Sequence, residues 1–522
     1  MLHKNYLEAC LCNGELYSLR IRIINLTVKY TEEQDGGFNL DKKKTGISRL
    51  AALGILGAAG VLSTLGARYL GRFAADKIHD RFLKILTSDL YDENLWEAVS
   101  STMRIGPQAV LETELRAEEG KLVERPMGPV NQFPSLDDLK FNFAQLNTLP
   151  TEIDTEIDFS ITIGKYAKRP LRLNHFFMLA PMAYGIALSK PVKIALAKGC
   201  GASGAAYHTG AGAAVLDVFQ YADKVVFQYD RGNWPKPEQA MLKSHAVEIQ
   251  LGQGAYGGVG YMMKSYMLND KLRKEFKIPK GQDLITYSRQ PEVQSPQDLK
   301  KLVDKLRHIT DGVPIGVKIA AGKDLEADLY WICSSGADFV VVDGAEAATK
   351  GSPPILQDDF GIPTAFAIDR AAKWLEKHGF RDRVSLIASG RIRTPGDALK
   401  VKALGADACQ VGAIALVAVS HGQIQKPLPF EPPTALTWYG EAYADQFDIE
   451  KGARSLQNFF ESCKLEMMEG IRALGKTSLS QVDRNDLITT NEMFARGMGI
   501  PMAYVPFDPL EQKPPRVRRL KL

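Results

Sequence analysis

From about Leu171 to Gly412 the chain alternates short apolar runs rich in β-branched residues with amphipathic stretches of about ten to fifteen residues. That alternation narrows the fold more than any other feature. A strand that is apolar on both faces must be covered on both, and an intervening helix supplies the cover while returning the chain to a parallel neighbour. HFFMLAP (His175 to Pro181), ADKVVFQ (Ala222 to Gln228), AVEIQ (Ala246 to Gln250), VPIGVKIA (Val313 to Ala320), ADFVVVDG (Ala337 to Gly344), VSLIASG (Val384 to Gly390) and DACQVG (Asp407 to Gly412) read as strands. Helices are expected from the N-cap Ser189 to a stop at Gly199, from Ser295 to Thr310, from Lys323 to Ser335, from Pro363 to His378 and from Thr394 to Leu404, with a further apolar helix after Gly412. At least six βα units in about 250 residues suit an α/β chain forming a (β/α)8 barrel of the TIM type better than an open sheet.

A barrel places its chemistry at the carboxyl ends of its strands, and a phosphate commonly binds beside the loops after the last two. Those loops are Ser389-Gly390-Arg391 and Gly412-Ala413, each leading into a helix whose free N–H groups favour an anion. They are read as a phosphate clamp. Gly199-Cys200-Gly201-Ala202-Ser203-Gly204 matches G-x-G-x-x-G but follows a helix and precedes a strand, the reverse of a dinucleotide site, and is set aside. Two readings stay open for QLGQGAYGGVGYMM after strand AVEIQ: a flexible loop, or backbone that approaches a flat cofactor.

The chain has 522 residues, 45% apolar and 24% charged, which excludes a disordered or wholly membrane-embedded protein. Lys and Arg exceed the acids by 65 to 61, so nothing in the charge balance points to nucleic acid. The six cysteines include no C-x-x-C pair and no histidine at zinc-ligand spacing, so neither a metal site nor a disulfide scaffold is expected. Leu50 to Ala67 is an 18-residue uncharged run between basic flanks; as a helix it spans roughly 27 Å, enough to cross a hydrocarbon core. It is read as a membrane anchor with the barrel in the cytoplasm, the alternative being a buried helix in a soluble cytoplasmic protein. The expected organisation is a polar extension (1–45), the anchor (46–72), a helical connecting region (73–150), the barrel (151–430) and a C-terminal helical cap and tail (431–522).

Several stretches, taken in order, are similar to the FMN-binding domain of glutamate synthase in its stand-alone form. They are MLAPMAYGIALS (178–189), AAYHTGAGA (205–213), VEIQLGQGAYGG (247–258), Lys318 in IGVKIA, VVVDGAEAATKGSPP (340–354), LIASGRIRTPGDALKVKALGADACQVG (386–412) and NFFESCKLEMMEGIRALG (458–475). The resemblance implies a barrel that holds FMN and reduces an imine formed from a 2-oxo acid and ammonia, with electrons from an unidentified donor. It implies that Met182, Ala183 and Tyr184 run along the flavin ring and that Lys318 sets a cation beside its N1 and C2 carbonyl. Gln253 would bond the flavin edge or substrate, and Ser389, Gly390, Arg391, Gly412 and Ala413 would hold the phosphate. Lys318 lies inside an apolar strand, where an unpaired ammonium is costly.

The chain departs from that family where substrate charge is handled. Ala211 stands where the family has a glutamate, Tyr256 where it has a lysine, Val259 where it has another glutamate, and Ala347-Ala348-Thr349-Lys350 replaces a GGTG segment. Tyr256, Thr209 and Lys350 are the candidate substrate contacts. After the last strand, VSHGQIQKPLPFEPP contains His421 and no cysteine, so no iron–sulfur cluster is expected. Leu2 is not a nucleophilic cysteine and the segment before the barrel is too short for an amidotransferase, so ammonia is expected from solution or a partner. Two other functions stay open. One is an FMN-dependent oxidase, dehydrogenase or isomerase of another small metabolite, with His208 as the base beside Arg391 or Arg393; the other is a catalytically decayed, membrane-attached scaffold.

Overall fold

The structure, a computed structural model, describes residues 49–88 and 90–505, with side chains from residue 66 onward. It separates into one unit ending at Pro107 and a second starting at Gln108. In the first unit, α1 (Arg49–Thr87) precedes α2 (Leu95–Ile105). Asn94 starts α2 by accepting the Glu97 N–H at 3.1 Å. The apolar run Leu50 to Ala67 is helical within α1, but most of its side chains lie outside the described residues, as does the polar extension 1–45. Among the described residues no helix is long and apolar enough to cross a membrane, so the expected anchor gains no support.

The second unit begins at Gln108, within α3 (Pro107–Glu119), and is built on eight parallel strands. These are β1 (Phe177–Leu179), β2 (Tyr207–His208), β3 (Val225–Tyr229), β4 (Ala246–Gln250), β5 (Ile315–Ala320), β6 (Phe339–Asp343), β7 (Ser385–Ser389) and β8 (Ala408–Val411). They lie in the order β1-β8-β7-β6-β5-β4-β3-β2. The two ends of that order meet: Met178 bridges Ala206, and the Leu179 N–H donates to the Ala206 carbonyl at 2.8 Å. The sheet is thereby closed into the expected barrel, leaving no unpaired edge.

Helices α4 (Lys190–Ser203), α5 (Asp298–Ile309), α6 (Leu325–Ser334), α7 (Thr364–Lys377), α8 (Pro395–Ala403) and α9 (Ala413–Val419) follow strands around the wall. In α5 the buried residues Leu299, Leu302, Val303 and Leu306 recur at helical spacing and form its inner stripe. Thr394 starts α8 by accepting the Asp397 N–H at 3.0 Å, with Pro395 opening the helix.

Helix α4 does not stop at Gly199 as the sequence suggests. It runs on to Ser203 and ends at Gly204, whose φ of 74° is the left-handed cap that glycine accepts. Gly199 and Gly201 are there for closeness. A Cβ at Gly199 would lie 2.8 Å from the Leu456 Cβ, and one at Gly201 only 2.0 Å from the Tyr221 carbonyl oxygen. Ser189 holds the N-cap position in extended conformation, yet its hydroxyl caps nothing.

The C-terminal cap is α10 (Ile449–Ala473), which lies on α4, α8 and α9. Its buried stripe Leu456, Phe460, Cys463, Met467 and Ile471 advances by three or four residues a step. Each of its large apolar side chains contributes roughly 1.5–3 kcal/mol by burial. Residues 108–150, expected in a connecting region, belong to the barrel unit. The reason is visible in pairing: Leu139–Phe141 forms an antiparallel ladder with Leu487–Thr489 near the far end of the chain.

Candidate active site at the carboxyl ends of the strands

Barrel interiors are ordinarily packed with branched apolar residues. Here the upper layer is polar. Gln228 on β3, Glu248 on β4, Lys318 on β5, Asp343 on β6, Ser389 on β7 and Gln410 on β8 are all buried. Strand register sets them side by side: Gln228 opposite Glu248, Asp343 opposite Ser389, and Ser389 opposite Gln410. Lys318 Nζ donates to Gln410 Oε1 at 2.7 Å and lies 3.4 Å from both Ser389 Oγ and Asp343 Oδ2. Gln410 Nε2 donates to Glu248 Oε2 at 2.7 Å, and Gln228 Nε2 to Glu248 Oε1 at 3.2 Å. Burial opposes the charge on Glu248. The His208 imidazole, the Lys318 cation and the Gln410 amide more than offset it and bring the carboxyl down to about 2.

Above this layer opens a cavity of about 580 Å³, within the size range of small-molecule sites. Its floor holds Lys318, Gln250, Asp343 and Gln410, and its walls hold Met182, Ala183, Gln253, Tyr256 and Lys350. Ser389, Gly390, Arg391, Gly412 and Ala413 line it at the ends of β7 and β8. Gly390 turns with φ of 116°, and the first amides of α9 have no partner within their own helix.

Two side-chain oxygens of this region, Gln250 Oε1 and Asp343 Oδ1, are buried without a hydrogen-bond partner. Gln250 Nε2 donates to Gln253 Oε1 at 2.9 Å, and Gln253 Nε2 to Thr349 Oγ1 at 3.3 Å, which links the glycine-rich loop to the loop after β6. Lys350 Nζ lies 4.3 Å from the centre of the Trp438 ring. Burial lowers the Lys350 pKa against the opposing pull of Glu441 and Glu124. Burial likewise raises Tyr256 to about 12, and its hydroxyl donates to the Gly260 carbonyl at 3.0 Å.

Three expected site residues lie elsewhere. Tyr184 is turned into the wall, donating to Glu275 at 2.6 Å and packing edge-on against Tyr439, and it does not line the cavity. Thr209 is likewise outside the lining and uses its hydroxyl to accept the Gln228 N–H at 2.9 Å. His208 is fully buried beneath the cavity, not beside Arg391 or Arg393, which line it. Its Nδ1 accepts the Gly210 N–H at 3.0 Å, so the ring proton sits on Nε2. That nitrogen lies 3.2 Å from Glu248 Oε2 without the alignment of a hydrogen bond. A histidine held this way is no free base.

The sequence reading missed several residues that the fold brings in. A strap carrying Glu124, Pro126, Met127 and Pro129 lines the cavity. It is fixed by Arg125, which donates to Glu112 at 2.7 Å and to Asp358 at 2.6 Å, and whose N–H donates to the Ser352 carbonyl at 3.0 Å. Burial raises the Glu124 carboxyl, opposed by the Lys350 charge. Lys193 on α4 is fully buried and donates to the carbonyls of Met182 at 2.8 Å and Thr209 at 2.6 Å, tying the loops after β1 and β2 together. Burial lowers it to about 7. Arg231 lines the cavity just past the end of β3. Glu248, Gln228 and Gln410 carried a legible signal, since each interrupts an apolar strand as Lys318 does; the strap carried none.

The sequence matches the family model described as a conserved region in glutamate synthase over residues 123–477. It is 30% identical over 398 residues to a glutamate synthase large subunit-like protein of Rhizobium meliloti, covering 73% of this chain and 90% of that one. It is 32% identical over 343 residues to an archaeal glutamate synthase (NADPH) of Methanocaldococcus jannaschii, covering 64% of this chain and 66% of that one. An archaeal-type glutamate synthase (NADPH) of Dehalococcoides mccartyi is 31% identical over 324 residues, covering 62% of this chain and 63% of its own.

Proposed function

The chain belongs to the family that shares the conserved region of glutamate synthase, and from that premise we propose that it is an FMN-dependent oxidoreductase. Its substrate is a 2-oxo acid, reduced as the imine formed with ammonia. The observation that carries the reading is Lys318, a buried cation on the floor of a cavity of about 580 Å³, at a strand end, with unpartnered acceptors at Gln250 Oε1 and Asp343 Oδ1 beside it. Orphaned acceptors next to a fixed cation fit a flat heterocycle that offers ring N–H donors and takes up negative charge on reduction. FMN, when bound, supplies hydride transfer to carbon.

The chain's own residues supply the rest. Lys318 would offset the charge of the reduced ring, and Gln253, tied to Gln250 and Thr349, would fix the ring edge. Met182 and Ala183 would present backbone to its face, and the turns at Ser389-Gly390-Arg391 and Gly412-Ala413 would hold the phosphate. The apolar strap residues Pro126, Met127 and Pro129, with Trp438, would keep water from the reacting carbon. Tyr256, with its pKa raised to about 12, stays protonated at neutral pH, donates that proton to the Gly260 carbonyl and does not act as a base. Glu124 lines the cavity wall, where burial raises its carboxyl against the pull of the Lys350 charge.

Purified full-length protein tests the reading directly. It is expected to carry flavin or to take up FMN on titration, and bound flavin in its reduced form is expected to be reoxidised by 2-oxoglutarate with ammonia. A panel of 2-hydroxy acids should leave the oxidised flavin unchanged. A colourless protein that takes up no FMN overturns the proposal.

A further inference from the structure

Arg231 is 1% exposed, and burial works against its charge. Its Nη1 donates to the Gly258 carbonyl at 2.8 Å and to that of Ser288 at 2.9 Å, and Nη2 makes one long contact to the Val259 carbonyl at 3.4 Å. Nε has no partner. A guanidinium has five N–H donors in a planar fork, so Nε–H and the second Nη2–H, which share one edge, are left over. Among the described residues no carboxylate pairs with Arg231. The adjacent Asp230 is already engaged: Oδ1 accepts from Gly232 N–H and lies 3.2 Å from the Lys236 ammonium, and Oδ2 accepts from Gly212 N–H and the Trp234 indole.

That free edge is the one an arginine uses side-on toward a carboxylate. Arg370 does so on this same molecule, donating from Nε at 2.7 Å and Nη2 at 2.6 Å to Glu326. A buried guanidinium with carbonyl partners alone and two of its five donors idle is poorly compensated until an anion reaches it. Arg231 lines the same cavity as Lys318 and Tyr256, and Tyr256 stands where the family resemblance implies a lysine. The positive charge that the glycine-rich loop lacks is present instead at the end of β3.

We propose that the free Nε–Nη2 edge of Arg231 is the carboxylate-binding subsite of the cavity, so that the substrate is a carboxylate held from the β3 side. For the reaction this rests on the reading given above; for binding it stands on Arg231 alone.

The test is calorimetric titration of full-length protein with pyruvate, 2-oxoglutarate and the neutral probe pyruvamide, with flavin content read from the absorbance of the same samples. The wild type is expected to bind the two carboxylates at least tenfold more tightly than the amide. Arg231→Gln is expected to remove that preference, and Arg231→Lys, which keeps the charge and loses the fork, to reduce it by about threefold or more. The lysine variant gives the answer if the glutamine variant does not fold. A purely structural Arg231, pinning Gly258 and Ser288, would weaken acid and amide by the same factor when replaced. That result, a preference within twofold of wild type in both variants, or a wild type with no preference overturns the inference. A colourless protein that still shows the Arg231-dependent preference ends the flavin reading and keeps this one; a flavin-containing protein without the preference does the reverse.

Discussion

Replacing Lys318 by methionine removes the ammonium and keeps a side chain of similar volume, so it isolates the charge. Lys318 is 2% exposed and holds Gln410 at 2.7 Å and Asp343 at 3.4 Å. Its charge is also one of the influences that keep the buried carboxyl of Glu248 down. Without it the carboxylates of Glu248 and Asp343 are left with the His208 imidazole, amides and hydroxyls. Removing one partner of a buried ion pair costs about 3–5 kcal/mol, a large share of the roughly 5–15 kcal/mol that holds a domain folded.

The shift at Glu248 points in the same direction, with His208 ahead of Lys318 among the groups that lower it. Its carboxyl falls from 4.5 to about 2, and at about 1.4 kcal/mol per unit that difference corresponds to roughly 3 kcal/mol, of which Lys318 supplies a share. The folded value lies below the unfolded one, so the contribution is fully present above about pH 4.5 and is lost as pH falls toward 2. The deficit of Lys318→Met is therefore expected to be largest at pH 7 and to shrink below pH 4.5. Urea unfolding followed by tryptophan fluorescence, at pH 7 and at pH 3, measures it. A deficit below about 1 kcal/mol at pH 7 would refute the reasoning, since it would place the floor carboxylates under other control. A deficit equal at both pH values would refute it too, because it would then owe nothing to charge.

Three further outcomes are expected. Lys193 is lowered from 10.5 to about 7 in the fold, so the unfolded chain binds the extra proton between those values and stability rises with pH across that window; Lys193→Met should lack that rise, and parallel stability profiles for the two proteins from pH 7 to 10 would count against the assignment. Gly201→Ala sets a Cβ 2.0 Å from a backbone oxygen, whereas Gly204→Ala meets nothing within 4 Å and carries only its φ of 74°. The first should cost about 3 kcal/mol or more and the second about 1–2 kcal/mol, and the reverse order of urea midpoints would be inconsistent with the α4 packing. Arg125→Ala leaves Glu112 and Asp358 without their shared cation. A loss of about 1.4 kcal/mol in strap opening is about tenfold in cleavage rate, so thermolysin should cut between residues 120 and 131 about tenfold faster or more; an unchanged rate would show that Arg125 does not hold the strap.

The alternation of apolar runs and amphipathic stretches was enough to identify a barrel, because both periods are local and each strand or helix states its own. Lys318 was legible for the same kind of reason, as a charge in an apolar run, and the turns after β7 and β8 were legible as glycines at strand ends. Gly199 was misread because a glycine that stops a helix and a glycine that admits a neighbouring helix are the same letter; only the position of Leu456, more than 250 residues along the chain, separates them. For His208 residue type alone left a base and a hydrogen-bonded structural histidine equally open; in the fold it is fully buried, outside the cavity lining, with Nδ1 accepting the Gly210 N–H.

What the sequence by itself determined is the class of scaffold, the family it resembles and the strand ends where chemistry would gather. Only the tertiary structure decided which groups share the cavity. Closing eight strands into a ring brings Gln228, Glu248, Lys318, Asp343 and Gln410 together from five segments, lays the strap of Glu124 to Pro129 along the cavity, and leaves one edge of Arg231 without a partner. Convergence of that kind depends on the order and register of strands far apart in the chain, and no window of local sequence carries it.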